Sequence, residues 1–478
     1  MEPCVVVWYR EDLRVEDHPA LWSAARRGLP VLPVYVLDDG AAGTWRWGAA
    51  RRWWLHHSLE ALAKRLDELG APLHVLQGPA EEVLTAWALG VGACELHFNA
   101  STLPWRRAQD ARLAAAWRER GWEVVAHPTD LLHEPDALRT QGERPYQVFS
   151  PFWRAFQARV VPAKPWPRPQ PMSGVRPAQE EGVGSLGLLP HLSWAEGFSS
   201  FATPGELSAR ARLSAFLEED AQRYTDDRDA PALDRTSRLS PHLAHGEVTG
   251  RTIWAWAEAR GRSAGLEYFV REVGWREFAY HLIYHMPHTI DVALRKDFEA
   301  FPWQPDEALL GAWQRGRTGV PLVDAGMRQL WATGWMHNRV RMVVASYLVK
   351  HLLQPWQEGA RWFWDTLVDA DLANNTLGWQ WAAGCGADAA PYFRVFNPVL
   401  QARKVDPEGA YIARWVPELA VLPAPFRAAP WDAPPLVLAE AGLRLGEHYP
   451  LPVVQHEEGR KRALAALECL RARVAGGR

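Results

Sequence analysis

DADLANNTLGWQWAAGCGADAAPYFRVFNP, residues 369–398, is the run whose reading decides the rest of this chain. A core helix repeats its apolar residues at 3.6 and keeps polar side chains on one face. Here Asp369, Asp371, Asn374, Asn375 and Gln380 stand among Trp379 and Trp381 without that period. Polar groups set beside large aromatics are what a planar, polar ligand needs around it. The chain also holds 27 Trp, more than core filling asks for. Trp is a stacking surface as well as a hydrophobe. The two facts point to a flat cofactor or base.

Outward from this run, the chain from Pro204 on is helical in pattern. ELSARARLSAFLEED, LEYFVREVGWREFAYHLIYH and MRQLWATGWMHNRVRMVVASYLVKHLL all carry helical periodicity. Before them, Val160–Thr203 is rich in Pro and Gly and reads as a connector draped over the surface. The first part alternates short β-branched runs with helical patterns. Val5–Trp8, Val31–Val36, Leu73–Leu76, Glu95–Phe98 and Glu123–Ala126 read as buried parallel strands, with helices at Ala49–Leu69 and Arg106–Arg120 between them. The expected architecture is therefore α/β plus all-α. A doubly wound parallel-sheet domain spans 1–130, a linker 131–203 and an all-helical domain 204–478. No GxGxxG follows the first strand, which excludes a nicotinamide domain.

At 478 residues the chain exceeds one core, and 48% hydrophobic with 23% charged residues is a folded composition. A net charge of −3 excludes a generally basic nucleic-acid binder, so any DNA affinity must be local. Cys4, Cys94, Cys385 and Cys469 lack metal-ligand spacing and disulfide density. No metal site is expected, and the thiols suit a reducing cytoplasm. MEPCVVVWYR is not a secretory leader, and no run is long enough to span a membrane.

Four clusters carry candidate chemistry. Glu272 and Trp275 share a helix face at i,i+3; a core Trp beside a surface acid explains them equally. Asn338, Arg341 and Met342 form a polar stripe among Trp335, Met336 and Val343; a solvated face is the alternative. RTSRLSPHL, residues 235–243, offers hydroxyls and N–H groups before a helix, suited to phosphate or to simple capping. Arg394, Arg403, Lys404 and Arg414 are placed to neutralise phosphates or to solubilise.

Read together, VVVWYREDLRVEDHPAL, RTSRLSPHLAHGEV, WREF, GVPLVDAGMRQLWATGWMHNRVRM, the opening run and YIARWVPEL resemble the photolyase/cryptochrome flavoproteins, in order from residue 5 to about residue 420. The resemblance is nearest to bacterial class I or class III enzymes for cyclobutane pyrimidine dimers. It implies an antenna domain, a linker and a helical domain holding FAD. Tyr224, Thr236, Ser237, Arg238, Leu239 and Ser240 match the segment on the FAD phosphates and ribityl chain. Asp369 and Asp371 match acids near the flavin ring, with Arg341 the expected partner of Asp369, and Asn375 matches the amide facing N5. Trp379, Trp356 and Trp303 match the electron-transfer chain.

By the same resemblance, Glu272, Trp275, Asn338, Met342 and Trp381 line a lesion pocket. A flipped dimer has apolar faces for two Trp platforms, and carbonyls and N–H groups for Glu272 and Asn338. Asn338 stands where (6-4) photolyases carry His, and Asn375 where plant cryptochromes carry an acid. The implied activity is light-driven repair of cyclobutane dimers in UV-damaged DNA by a cytoplasmic monomer. A cryptochrome photoreceptor and a (6-4) photolyase are the rivals. Arg339, Arg394 and Arg403 are the expected DNA contacts. Two departures stand out. Thr376 and Leu377 replace small residues beside the flavin. Trp105 and Arg106 replace the Asn and Glu of folate-binding relatives, which leaves the antenna site open among folate, deazaflavin, flavin or no second chromophore.

Overall fold

The computed structural model describes residues 2–175, 182–190, 193–388 and 393–476; residues 389–392 of the opening run lie outside these. Five parallel strands, β1 (Cys4–Tyr9), β2 (Val31–Leu37), β3 (His74–Gln77), β4 (Ala93–Asn99) and β5 (Glu123–His127), lie in the order β3-β2-β1-β4-β5. The reversal of direction at β1 makes the sheet doubly wound. β1 is buried along its whole length, as CVVVWY requires for a strand covered by helices on both faces. Val5 pairs with Val31 on one side and Glu95 on the other. The five strands and the helices Ala49–Asp67 and Pro104–Glu119 fall where the sequence pattern puts them.

The connector is tied to the α/β part. Met172 N donates to Leu69 O (2.7 Å), Val31 N to Ser173 O (2.8 Å) and Asp17 N to Trp166 O (2.9 Å). Within 131–203, however, Phe149–Arg159 is an α-helix, not connector. Phe149, Phe152 and Phe156 recur at helical spacing and join Phe216, Phe269 and Phe278 in a core of the helical part.

The remaining chain is helical from Glu206–Glu219 to His456–Gly476, and among the described residues no helix is long and apolar enough to cross a membrane. Two helices frame the site. Ala264–His285 starts at Ser263, whose hydroxyl accepts from Leu266 N. Leu372–Ala383 starts at Asp371, whose carboxylate accepts from Asn374 N, and ends at left-handed Gly384. The second helix corrects the irregular reading of the opening run. Its polar residues break the hydrophobic period because Thr376 and Gln380 lie on the buried face, Gln380 donating to Thr289 O (2.7 Å) and Val292 O (2.9 Å). The helical run MRQLWATGWMHNRVRMVVASYLVKHLL is broken after Thr333, and a second helix follows. It begins at Asn338, capped by the His337 ring, and closes in a single π turn, Tyr347–His351.

Buried arginines lock the two parts together. Arg14 binds Asp130 (2.6 Å) and Gly246 O (2.9 Å), and Arg251 binds Asp17 (3.2 Å). Arg51 reaches Ala244 O (2.8 Å) and Ala370 O, so the domain junction abuts the Asp369–Asp371 turn. Gly246, at φ 65°, lets the chains touch, since a Cβ there would fall 2.0 Å from Glu11 O.

Candidate active site

The 236–240 loop is held by side chains from outside it. Arg212 donates to Thr236 O (2.6 Å) and Ser237 O (2.9 Å), which turns those carbonyls away and leaves half-buried hydroxyls at Thr236 and Ser237. Arg238 holds φ 50°, a left-handed bend that re-aims the following N–H groups. Its guanidinium lies 4.7 Å over Phe201 and 5.6 Å over Trp335. Trp335 stacks on Phe201 at 4.9 Å and donates to Ser240 Oγ (3.2 Å). Leu239 is buried beneath. Tyr224 is buried too, and loss of hydration raises its phenol pKa, so it stays a neutral donor.

Arg341 Nη2 binds Asp369 Oδ2 (2.7 Å) and its Nε donates to Met336 O (2.7 Å), which is the pairing the sequence led us to expect. Asp369 Oδ1 is buried and unpartnered among the described residues. A buried carboxylate oxygen without a donor is costly. A ligand carrying an N–H or O–H meets that need, so the turn fits a flavin-type group. Asp371 behaves differently. One oxygen caps its helix and the other accepts from Tyr280 (2.8 Å), so each already has one donor. Asn375 donates Nδ2 to Ala360 O (3.0 Å), which leaves its amide oxygen as the free acceptor.

The expected lesion-pocket residues lie on three helices: Glu272 and Trp275 on Ala264–His285, Asn338 and Met342 on Asn338–Ser346, and Trp381 on Leu372–Ala383. Trp275 is half-buried, with one ring face flat on Phe149 at 3.7 Å and 11°. Glu272, one turn earlier, binds Arg228 (2.5 Å) through one oxygen. Asn338 is exposed at a helix start, and Met342 is half-buried one turn on. His337, held to a pKa of about 4 by burial, caps that helix without adding charge. Arg339 is held by Asp229 (2.5 Å). Trp381 is half-buried, 6.4 Å from Phe396.

Trp379 and Trp356 are buried in one hydrophobic cluster, and half-buried Trp303 packs against it. The Trp379 ring lies in the notch left by Gly359, where a Cβ would fall 2.0 Å from the ring. Phe363 (5.0 Å) and Trp313 (6.1 Å) complete its surroundings. The basic residues divide. Arg394 is exposed, 5.0 Å over Phe396, with no ion pair among the described residues. Arg403 is paired with Asp432 (3.3 Å).

Sequence reasoning passed over Arg228, Asp229, Arg212 and Phe149. The contacts of Arg228 with Glu272, Asp229 with Arg339, and those of Phe149 and Arg212 span sequence distances that no local pattern shows. It also passed over His56, His57 and Glu60 on the Ala49–Asp67 helix. These bring one ligand atom each within 4.8 Å of one another, a metal-capable grouping in the α/β part. Arg106, at the expected antenna position, is buried and donates to Glu11 (3.1 Å) and Gln109 (3.1 Å).

Residues 5–170 match the family model of DNA photolyase, and residues 269–469 that of the FAD binding domain of DNA photolyase. A deoxyribodipyrimidine photo-lyase of Agrobacterium fabrum is 44% identical over 97% of each chain. The chain belongs to the DNA photolyase family. Its helical part is therefore an FAD-binding domain. The fold follows a bacterial class III photolyase of Agrobacterium tumefaciens with a TM-score of 0.95 and 43% identity, covering 99% of this chain and 98% of that one. Cryptochrome-1 of Arabidopsis thaliana is also similar, 36% identical over 97% of this chain and 70% of its own length.

Proposed function

We propose that this photolyase-family protein is a light-driven deoxyribodipyrimidine photo-lyase that splits cyclobutane pyrimidine dimers in UV-damaged DNA. The observation that carries the reading is Trp275. A Trp that only fills a core has both faces covered, whereas this ring is backed by Phe149 on one face and half-buried overall. It is a rigid stacking platform, with an acid one turn away.

Thr236, Ser237 and the bent Arg238 segment hold the phosphates of FAD, and the open oxygen of Asp369 takes a donor from it. Bound, reduced FAD supplies the excited electron that opens the dimer. The protein's part is placement. Trp275 and Trp381 take the apolar faces of the flipped dimer. Glu272, with one oxygen on Arg228, offers the other to a pyrimidine N–H, and the Asn338 amide donates to a carbonyl. Asn375 keeps its oxygen directed by the Ala360 bond. Trp303, Trp356 and Trp379 carry electrons inward from the surface.

For a second, light-harvesting chromophore (folate, deazaflavin or flavin), the interdomain cleft at Arg10, Glu11, Arg51 and Tyr280 holds about 80 Å³. That is below the range of ligand pockets, about 300–1,000 Å³, so its walls must part to admit one. The deciding experiment is illumination of the reduced protein with an oligonucleotide carrying one thymine dimer. Restored thymines support the reading. Repair confined to (6-4) products, or none with FAD bound and reduced, overturns it.

A further inference from the structure

Trp381 and Arg394 also line a second cleft, of about 340 Å³. It sits between the C-terminal helix, the π turn and the 393–396 segment. Its floor is Ser346 and Lys350. Ser346 is 4% exposed, and its hydroxyl has no partner among the described residues. In a helix such a hydroxyl ordinarily bonds back to a carbonyl one turn earlier, so a free one calls for a ligand. Lys350 is 1% exposed, and its ammonium donates to Ala383 O (2.6 Å) and lies 3.0 Å over the Phe393 ring. No carboxylate pairs with it among the described residues.

The π turn, Tyr347–His351, carries Lys350 in the wall, and such turns concentrate at functional sites. Phe298, Phe393 and Phe396 supply aromatic walls. Arg394 and Arg471 stand at the rim without ion pairs among the described residues, and the one acid in the lining, Asp297, is already paired with Arg295 (2.9 Å). In a chain of net charge −3 this is a pronounced local cationic excess.

We infer that this cleft is a binding site for a single nucleotide, with the base among Phe298, Phe393, Phe396 and Trp381 and the phosphate toward Ser346, Lys350, Arg394 and Arg471. The volume, at the low end for ligand pockets, suits one nucleotide and not two. Uncharged aromatic walls alone would admit any apolar ligand, but the free hydroxyl and unpaired cations select an anion. Burial holds the pKa of Lys350 well below the ordinary ammonium value, and an entering phosphate supplies the missing counter-charge. The nucleotide comes from one of two sources: a base displaced from a DNA strand beside the lesion, or a free mononucleotide. The inference does not depend on the repair reading, because nucleotide binding and dimer repair are measured separately.

The test is calorimetric titration of the FAD-loaded protein with AMP, adenosine and inorganic phosphate. AMP binds at least about tenfold tighter than either fragment, because it uses both walls and floor. Arg471→Glu weakens AMP by about ten- to a hundredfold, the scale of one lost charged hydrogen bond. Its flavin spectrum and melting temperature stay unchanged. Lys350 supports the end of the Leu372–Ala383 helix, so Ser346→Ala, which deletes an unpartnered hydroxyl, is the second variant and also weakens AMP. Competition between AMP and a labelled duplex assigns the nucleotide to DNA; simultaneous binding assigns it to a free mononucleotide. AMP binding no tighter than phosphate or adenosine, or an affinity indifferent to both variants, overturns the inference.

Discussion

Arg341 Nη2 stands 2.7 Å from Asp369 Oδ2, while Asp369 Oδ1 is buried with no partner among the described residues. The pair is thus half-completed within the protein. Asp369→Asn removes the charge that Arg341 faces and weakens the acceptor left for the cofactor. A fully buried pair broken on one side loses about 3–5 kcal/mol. Arg341 keeps some exposure, so the expected loss is about 1–3 kcal/mol by urea denaturation. The purified variant should also retain less FAD at equal protein. Full flavin content in the variant would mean that Oδ1 meets no cofactor donor.

Trp379 is the next test. Trp379→Phe should slow photoreduction of the oxidised flavin by external reductant and leave repair by pre-reduced enzyme near normal. Gly359→Ala, which removes no electron-carrying ring, should act on the same readout. Its Cβ would displace the Trp379 ring, with overpacking costs of about 1–3 kcal/mol. Photoreduction at the native rate in both variants would point to another aromatic route, with Trp313 and Phe363 the adjacent rings.

Trp275→Ala should weaken binding to dimer-containing DNA by about ten- to a hundredfold, the effect of losing about 1–3 kcal/mol of stacking. Because Phe149 backs the ring, Phe149→Ala should lower the same affinity by a smaller factor without touching DNA. Both are read by anisotropy on a labelled lesion duplex. Equal effects on undamaged DNA would remove Trp275 from the lesion pocket.

The α/β half was legible because a buried parallel strand writes itself as an unbroken apolar run, as in CVVVWY. The site was legible only through motifs, not through periodicity. LANNTLGWQWAA gave no helical period, yet it is a helix, because Thr376 and Gln380 put polar side chains on its buried face. The Arg341–Asp369 pair followed from the resemblance. Which oxygen of Asp369 stays free, the donors on both Asp371 oxygens and the Glu272–Arg228 pair did not, since these depend on contacts far apart in sequence. Phe149–Arg159 was folded into the connector because its neighbours are rich in Pro and Gly.

The basic residues are no longer equivalent once paired charges are known. Arg394 is free of acids among the described residues and Arg403 is not. Arg394→Glu should lower affinity for every DNA and reduce the salt slope by about one unit. Arg403→Glu should do less, because Arg403 is already paired with Asp432. The flavin spectrum should not move in either. Equal losses from the two reversals would show that the Asp432 pair opens on binding.

Acid sensitivity follows from buried imidazoles. Burial holds His127 and His337 at about 4, and His281 and His351 at about 3, below the ordinary 6.5. In the unfolded chain these groups take up protons as pH falls through about 6.5; in the fold they do not. The unfolded state therefore binds more protons between those values, and stability falls as pH drops from about 6.5 towards 4. Nothing is gained above 7, where both states are neutral. His351 is the most informative position, because its ring meets His456 at 2.9 Å between the π turn and the C-terminal helix. His351→Gln removes one depressed group. Its plot of unfolding free energy against pH should be shallower than that of the unaltered protein by about one proton between pH 6 and 5. Parallel plots over that window would show that His351 titrates normally in the fold.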